Sequence, residues 1–454
     1  MIYDLIVIGG GPGGYLASER AGGAGLKTLC IEKANVGGVC LNEGCIPSKT
    51  LLHSAKVFDY AKGGEKYGVT AENVVLDQGI VIKRKDKVVR TLVAGVKAKL
   101  KQNNVEVVNA TAAIKGRTAE GFVVTAGDSE YIGKRLLIAT GSVPSLPPIP
   151  GLKEGIQSGF CLTNKEILDL KEIPECLTVI GGGVIGLEMA SYYHSVGSKV
   201  TVIEMLDHIA GNTDSDISDV LLKEYTKKGI DFKLSAAVVK VNADSVVYEK
   251  DGKTESVKAD KVLVSIGRRA QTSGLGAENI GLELNRGTVV VDDRMRTNVA
   301  GVYAVGDVTG KMMLAHVAYR QAEVFINNIL GKKDVMRYNA IPSVIYTNPE
   351  VAGIGETEST AKAKGLDVEK VVLSMNYSGR YAAENERGTG ICKILTDKKN
   401  QTLVGVHMIG NYASEIIYGA AIMIECEMRI EDIKEIVFPH PTVSEIIREG
   451  IFEL

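Results

Sequence analysis

One block of this sequence occurs twice. Leu5–Ile8 reads as a short buried strand, followed by Gly9, Gly11 and Gly14 in a Gly-x-Gly-x-x-Gly turn, a helical stretch, and a second strand, Lys27–Ile31, ending in Glu32. Leu177–Ile180, then Gly181, Gly183 and Gly186, a helical stretch and Lys199–Ile203 ending in Glu204 repeat it, every landmark displaced by 172 positions. Each block is a βαβ dinucleotide fingerprint. The first glycine permits the tight turn, the second lets backbone N–H groups reach a pyrophosphate, and the third lets helix and strand pack closely. The terminal Glu has the acceptor oxygens for the hydroxyls of an adenosine ribose. Two helix-packing turns would also use the glycines, but would require neither Glu32 nor Glu204.

Further strand ends follow each block. Arg135–Gly141 and Lys261–Gly267 each read as the last strand of a unit, and Gly301–Asp307 is a third buried strand with a polar end, after the second unit has closed. One nucleotide domain therefore reads as inserted into another. From about 340 onward, strand pieces such as 402–408 alternate with helical stretches such as 414–426, a separate α+β region. The expected architecture is α/β, with two Rossmann-like domains, 1–145 continued by 270–338 around an insert at 146–269, and a C-terminal α+β domain at 339–454.

Fifty-three basic against 55 acidic side chains leave a net charge of -2, and so no bulk field for nucleic acid or an anionic membrane. With no basic leader and no apolar run of about 18 residues, the expectation is a cytosolic chain that binds small ligands. Seven cysteines, odd in number and scattered, argue against a secreted disulfide framework, and none has zinc spacing with histidine. Only Cys40 and Cys45 are close. Five residues apart in an undistorted helix, their Cα atoms would be about 8.7 Å apart, beyond the roughly 7 Å that a disulfide spans. A bond would need a distorted turn, for which Gly44 gives the freedom. A readily reduced catalytic disulfide and two unrelated buried thiols both fit the spacing.

The segment Gly37-Gly38-Val39-Cys40-Leu41-Asn42-Glu43-Gly44-Cys45-Ile46-Pro47-Ser48-Lys49 resembles the redox-active segment of the pyridine nucleotide-disulfide oxidoreductases, most closely their dihydrolipoamide dehydrogenase branch. The resemblance extends over nearly the whole chain, through both fingerprints, Ala139-Thr140-Gly141, Gly306-Asp307, Met313-Leu314-Ala315-His316 and His440-Pro441-Thr442-Val443-Ser444-Glu445. It implies FAD at the first fingerprint (Gly9, Gly11, Gly14, Glu32, with Lys49, Thr140, Gly141, Asp307 and Ala315) and NAD at the second (Gly181, Gly183, Gly186, Glu204, with Gly267). It also implies a homodimer through the C-terminal domain. By it, Cys40 is the interchange thiol that meets substrate and Cys45 the thiol beside the flavin. Lys49 is the lysine near the flavin, paired with Glu188, and Asp307 holds the ribityl chain. Alone, Lys49 also reads as a surface cation and Glu188 as ordinary helix charge, although an ammonium at i+4 and a helix N-terminus would each favour a thiolate at Cys45.

Pro439 and Pro441 restrict the backbone of His440, and Glu445 falls in the first turn of a following helix. That is the arrangement of a thiol-imidazole-carboxylate relay, though a His capping the last helix also fits. Many branch members have a second His where this chain has Phe438, at the mouth of the substrate channel. The implied reaction oxidises dihydrolipoamide, supplied on lipoylated carrier proteins of a multienzyme complex, and reduces NAD+. A glutathione-type reductase normally uses NADPH and would call for Arg or Lys after Glu204, where the chain has Met205-Leu206-Asp207-His208. A mercuric reductase would end in a cysteine pair, and a flavin-binding scaffold would not turn over.

Overall fold

Leu5–Ile8 is apolar and buried at all four positions, as a strand inside a parallel sheet must be. This strand, β1, leads through the glycine turn into α1 (Pro12–Gly23), with Pro12 at the first helical position, and then into β2 (Thr28–Glu32). Next come α2 (Gly38–Glu43), α3 (Cys45–Lys62), α4 (Gln78–Gln102), β3 (Glu106–Asn109) and β4 (Leu136–Ile138). The second block gives β5 (Cys161–Leu162), β6 (Cys176–Ile180), α5 (Val184–Ser195), β7 (Lys199–Ile203), α6 (Ser215–Lys228), β8 (Asp231–Lys233) and β9 (Lys261–Val264). The chain then returns through β10 (Val302–Ala304) and α7 (Ala315–Ile329). The computed structural model describes all 454 residues.

Residues 1–50, 80–145 and 267–337 form one compact unit, and residues 51–79, 146–266 and 338–454 a second. In the first, five parallel strands run β10-β4-β1-β2-β3; in the second they run β5-β9-β6-β7-β8. Leu5 lies opposite Thr28 and Leu177 opposite Val200, the same register displaced by 172. Because β10 pairs with β4 (Val302 opposite Leu136), the first sheet is completed only after the second block has been made. Each unit also has a smaller sheet that no motif announced: in the first, three antiparallel strands at 112–133 joined in parallel by Ile2–Tyr3, and in the second, three antiparallel strands at 237–258.

The C-terminal part of the second unit is a five-stranded antiparallel sheet. Its order is β11-β12-β15-β14-β13 for β11 (Ser343–Ile345), β12 (Glu350–Gly355), β13 (Val368–Ser374), β14 (Ile391–Asp397) and β15 (Thr402–Gly410). Helices α8 (Ala413–Glu425) and α9 (Glu445–Phe452) pack on it around Ile394, Met408, Ile417 and Ile447. The fully buried Lys393 ammonium of β14 bonds Asp214 at 3.0 Å, Asp216 at 2.8 Å and Glu358, which ties this sheet to the start of α6. No helix is long and apolar enough to cross a membrane.

Candidate active site

The two glycine turns are built alike. Gly9 has φ +106° and Gly181 φ +104°, conformations that favour glycine. A Cβ on Gly14 would stand 1.9 Å from the Gly9 carbonyl oxygen, and one on Gly186 2.1 Å from that of Gly181, so the third glycine of each turn is sterically required. The carboxylate of Glu32 accepts from Gly10 N–H at 2.7 Å and Ala34 N–H at 2.8 Å; that of Glu204 accepts from Gly182 N–H at 2.6 Å and Leu206 N–H at 2.8 Å. Each Glu thus braces its turn and keeps lone pairs for a ribose. Gly11 and Gly183 cap α1 and α5, and a Cβ on Gly183 would meet nothing within 4 Å, which leaves open space over the turn. Both turns fit a dinucleotide: open backbone N–H groups at a helix start, with an acceptor at the end of the second strand.

The edges of the turns come from the next strands. Ala139 and Thr140 close on Gly9, as Ser265 and Ile266 do on Gly181. Gly267, read as the end of the last strand of the second unit, lies one residue beyond that contact, with φ +115° and its carbonyl accepting from Ser145 N–H at 3.0 Å in the first unit. Thr140 bonds the Gln271 carbonyl at 2.6 Å, and Gly141 adopts φ +71°. Asp307 accepts from Ser142 Oγ at 2.5 Å, and Ala315 opens α7.

The cysteines lie where the helix breaks. α2 ends at Glu43, Gly44 departs from helical geometry at φ −151°, ψ −107°, and α3 begins at Cys45. The distortion expected at Gly44 is therefore present. The Cys40 thiol is hydrogen-bonded to Cys45, and that bond, then burial, raises its pKa above the ordinary thiol range; the nearby Lys49 charge pulls the other way. Cys40 thus keeps its proton. Gly38, with φ +57°, lies so close to Gly11 that a Cβ on it would be 2.6 Å from the Gly11 Cα. This backbone contact sets the thiol segment directly against the first glycine turn.

Two neighbours carried no motif. Tyr15, in the first turn of α1, and Tyr319 of α7 share a hydroxyl hydrogen bond of 2.5 Å, with half-buried rings edge to face. Burial raises the pKa of both phenols, and charge on Cys40 and Cys45 adds to it, so the pair stays protonated beside the thiols. Arg268 donates to Ser142 Oγ at 2.7 Å and to its carbonyl at 2.8 Å; burial lowers its pKa, opposed by Asp307, Glu43 and Cys45.

In the second unit, Glu188 is buried in α5 at 3% exposure and accepts from Tyr346 N–H at 3.0 Å. His440 Nδ1 lies 2.9 Å from Glu445 Oε1, while Thr442 N–H donates to Glu445 Oε2 at 2.9 Å. These bonds, the Thr442 one first, hold the Glu445 pKa below the usual carboxylate range. The His440 side chain is 78% exposed, so its second nitrogen faces outward. Phe438 packs against the core of its own domain.

The comparison with known proteins agrees with this arrangement. The pyridine nucleotide-disulphide oxidoreductase family matches residues 3–322, and its dimerisation domain residues 341–451. The chain belongs to this family. Among its relatives in the pyridine nucleotide-disulphide oxidoreductases, the dihydrolipoyl dehydrogenase of Mycoplasma pneumoniae is 38% identical over 99% of this chain and 98% of its own length. Dihydrolipoyl dehydrogenase 3 of Pseudomonas aeruginosa is 39% identical over 100% and 98%. Among solved structures, LpdA from Mycobacterium tuberculosis gives a TM-score of 0.88 at 27% identity over 99% of both chains. The HOCl-induced flavoprotein disulfide reductase RclA of Escherichia coli gives 0.86 at 28%, also over 99% of both.

Proposed function

We propose that the chain is a dihydrolipoyl dehydrogenase, which oxidises dihydrolipoamide to lipoamide and reduces NAD+ to NADH with release of a proton. The observation that carries this reading is the Cys40–Cys45 contact at the Gly44 break, seated by Gly38 on the first phosphate turn. Glu32, the first glycine turn, Thr140, Gly141, Asp307 and the start of α7 at Ala315 would hold FAD, and Glu204 and the second turn would hold NAD. Bound FAD supplies the two-electron relay between the cysteine pair and the nicotinamide.

The residues divide the remaining work. His440, oriented by Glu445, removes a proton from one substrate thiol, and the resulting thiolate attacks Cys40 of the oxidised pair. A mixed disulfide forms, the Cys40–Cys45 bond breaks, and Cys45 leaves as a thiolate. The second substrate thiol displaces Cys40, closing lipoamide and leaving the pair two electrons richer. Lys49 favours negative charge at the pair, and buried Glu188 is its proposed counter-charge. The exposed ring of His440 and exposed apolar side chains in the same domain, including Val437 (92%) and Tyr418, support a homodimer in which His440 serves the partner's thiols. Lipoylated carrier proteins are the proposed source of substrate. The scattered thiols fit a reducing cytosol.

Anaerobic mixing of the purified protein with dihydrolipoamide and NAD+ tests the reading. NADH should appear in equal amount to the dithiol consumed. A flavin-loaded protein that forms NADH from glutathione and not from dihydrolipoamide would overturn it.

A further inference from the structure

Helix α4 carries a row of cations that no step of the reaction uses. Lys83, Lys87, Arg90, Lys97 and Lys101 fall on one helical face. At 1.5 Å per residue the row is about 27 Å long. All five are exposed and none forms an ion pair, whereas Asp86, the only carboxylate in the helix, is held by Lys85 at 2.8 Å. In a chain of net charge -2, this is a local field and not a consequence of composition.

The rest of the helix limits what could lie on the row. Val81, Ile82 and Leu100 are buried, and the exposed Ile80 and Leu92 stand twelve residues apart, so no continuous apolar face remains to enter a bilayer. It has no aromatic residue for a base to stack on. Near the start of the row, Arg84 Nη1 donates to the Thr50 carbonyl at 3.1 Å, on the same helix as Cys45 and five residues after it. The field therefore begins beside the redox helix.

We propose that this row is a landing surface for an acidic protein face that bears the tethered dithiol. The inference rests on the reading above, because only a carrier-borne substrate arrives with a protein surface attached. Opposite charge would orient the carrier during approach, with its arm towards the thiol end of α3. Steering of this kind acts on encounter, so it changes kcat/KM for a carrier and leaves kcat unchanged. A free dithiol, which has no acidic face, would not respond.

The test compares free dihydrolipoamide with a recombinant lipoylated carrier domain of net acidic charge, using the flavin-loaded enzyme and its K87E/R90E/K97E variant. Raising ionic strength from about 20 to about 200 mM should lower wild-type kcat/KM for the carrier about tenfold. The variant should already be about tenfold lower at low salt and nearly insensitive to salt, with its constants for free dihydrolipoamide unchanged. Should the triple variant fold poorly, K87Q and R90Q singly should each cost about two- to threefold on the carrier alone. Equal kcat/KM for the carrier in wild type and variants would overturn the proposal. So would row-dependent retention of duplex DNA or phosphatidylserine vesicles with no change towards the carrier. Failure of the wild type to turn over free dihydrolipoamide would instead overturn the reading beneath it.

Discussion

The two nucleotide turns have the same bracing but different cover. Glu32 and Glu204 grip them at 2.7 and 2.6 Å, and a backbone contact recurs as well: Gly37 N–H meets the Gly10 carbonyl at 2.8 Å, and Ala210 N–H meets that of Gly182 at 2.8 Å. Over the first turn, however, lies Gly38 of the thiol segment. A Cβ on Gly13 would stand 2.8 Å from Val305, and Glu32 is 8% exposed. Around the second, Val184, Met205, Leu206 and Ile266 are exposed, Met205 by 71%. Under the proposed assignment, the covered turn would be a resident site and the open turn an exchange site. That suits a flavin that stays and a nicotinamide that leaves after each turnover.

The largest effect should come from placing a Cβ in each turn. Gly14→Ala should purify without flavin, because its Cβ meets a backbone oxygen; Gly186→Ala should stay yellow but raise KM for NAD+ about tenfold or more. Loss of flavin from both would erase the distinction. Next, His440→Ala should slow reduction by dihydrolipoamide by about a hundred- to ten-thousandfold and leave reoxidation by NAD+ nearly unchanged, read by rapid mixing of each half separately. Equal slowing of both halves would mean that His440 does not act on the dithiol. Because Glu204 faces an open turn, preference for NADH over NADPH should be about ten- to a hundredfold, and Glu204→Gln should narrow it. Equal steady-state rates with the two nucleotides in the wild type would remove Glu204 from that role.

The smallest effect concerns the covered unit. Asp334, paired with Arg320 at 2.6 and 2.8 Å beyond the end of α7, has its pKa lowered to about 2, by the Arg320 hydrogen bonds first. A depressed carboxylate contributes stability above its unfolded pKa and loses it as pH falls through its folded one. The gap in urea midpoint between wild type and Asp334→Asn should therefore be full at pH 7 and close as pH falls from about 4 to about 2. A gap that does not change with pH would assign the contact to packing.

What could be read in advance was what local chain geometry requires. Gly9, Gly14 and their counterparts stand where backbone meets backbone, and Gly44 where two cysteines must approach each other. For Glu32 and Glu204 the sequence suggests a ribose acceptor, and their hydrogen bonds to the turns themselves are a structural addition. Hidden from the sequence were contacts between distant residues with no periodic signature. Tyr15 meets Tyr319 and Ser142 meets Arg268 across long separations, and the strands at 112–133 and 237–258 are too polar on their outer faces to stand out. Gly267 shows the limit of the repeat: the strand it ends matches its counterpart, but the chain there is already turning back into the first unit.

The most direct test of the coupled cysteine pair is anaerobic titration of the flavin-loaded protein with dihydrolipoamide, followed in the long-wavelength visible region. One equivalent should produce a thiolate-to-flavin band if, as proposed, Cys45 is the thiol that carries the charge, since Cys40, with its pKa raised, keeps its proton. Cys40→Ser should show that band without reductant, and Cys45→Ser should not show it at all. Identical spectra from the two variants, or bleaching of the flavin by dithiol in both, would contradict the assignment.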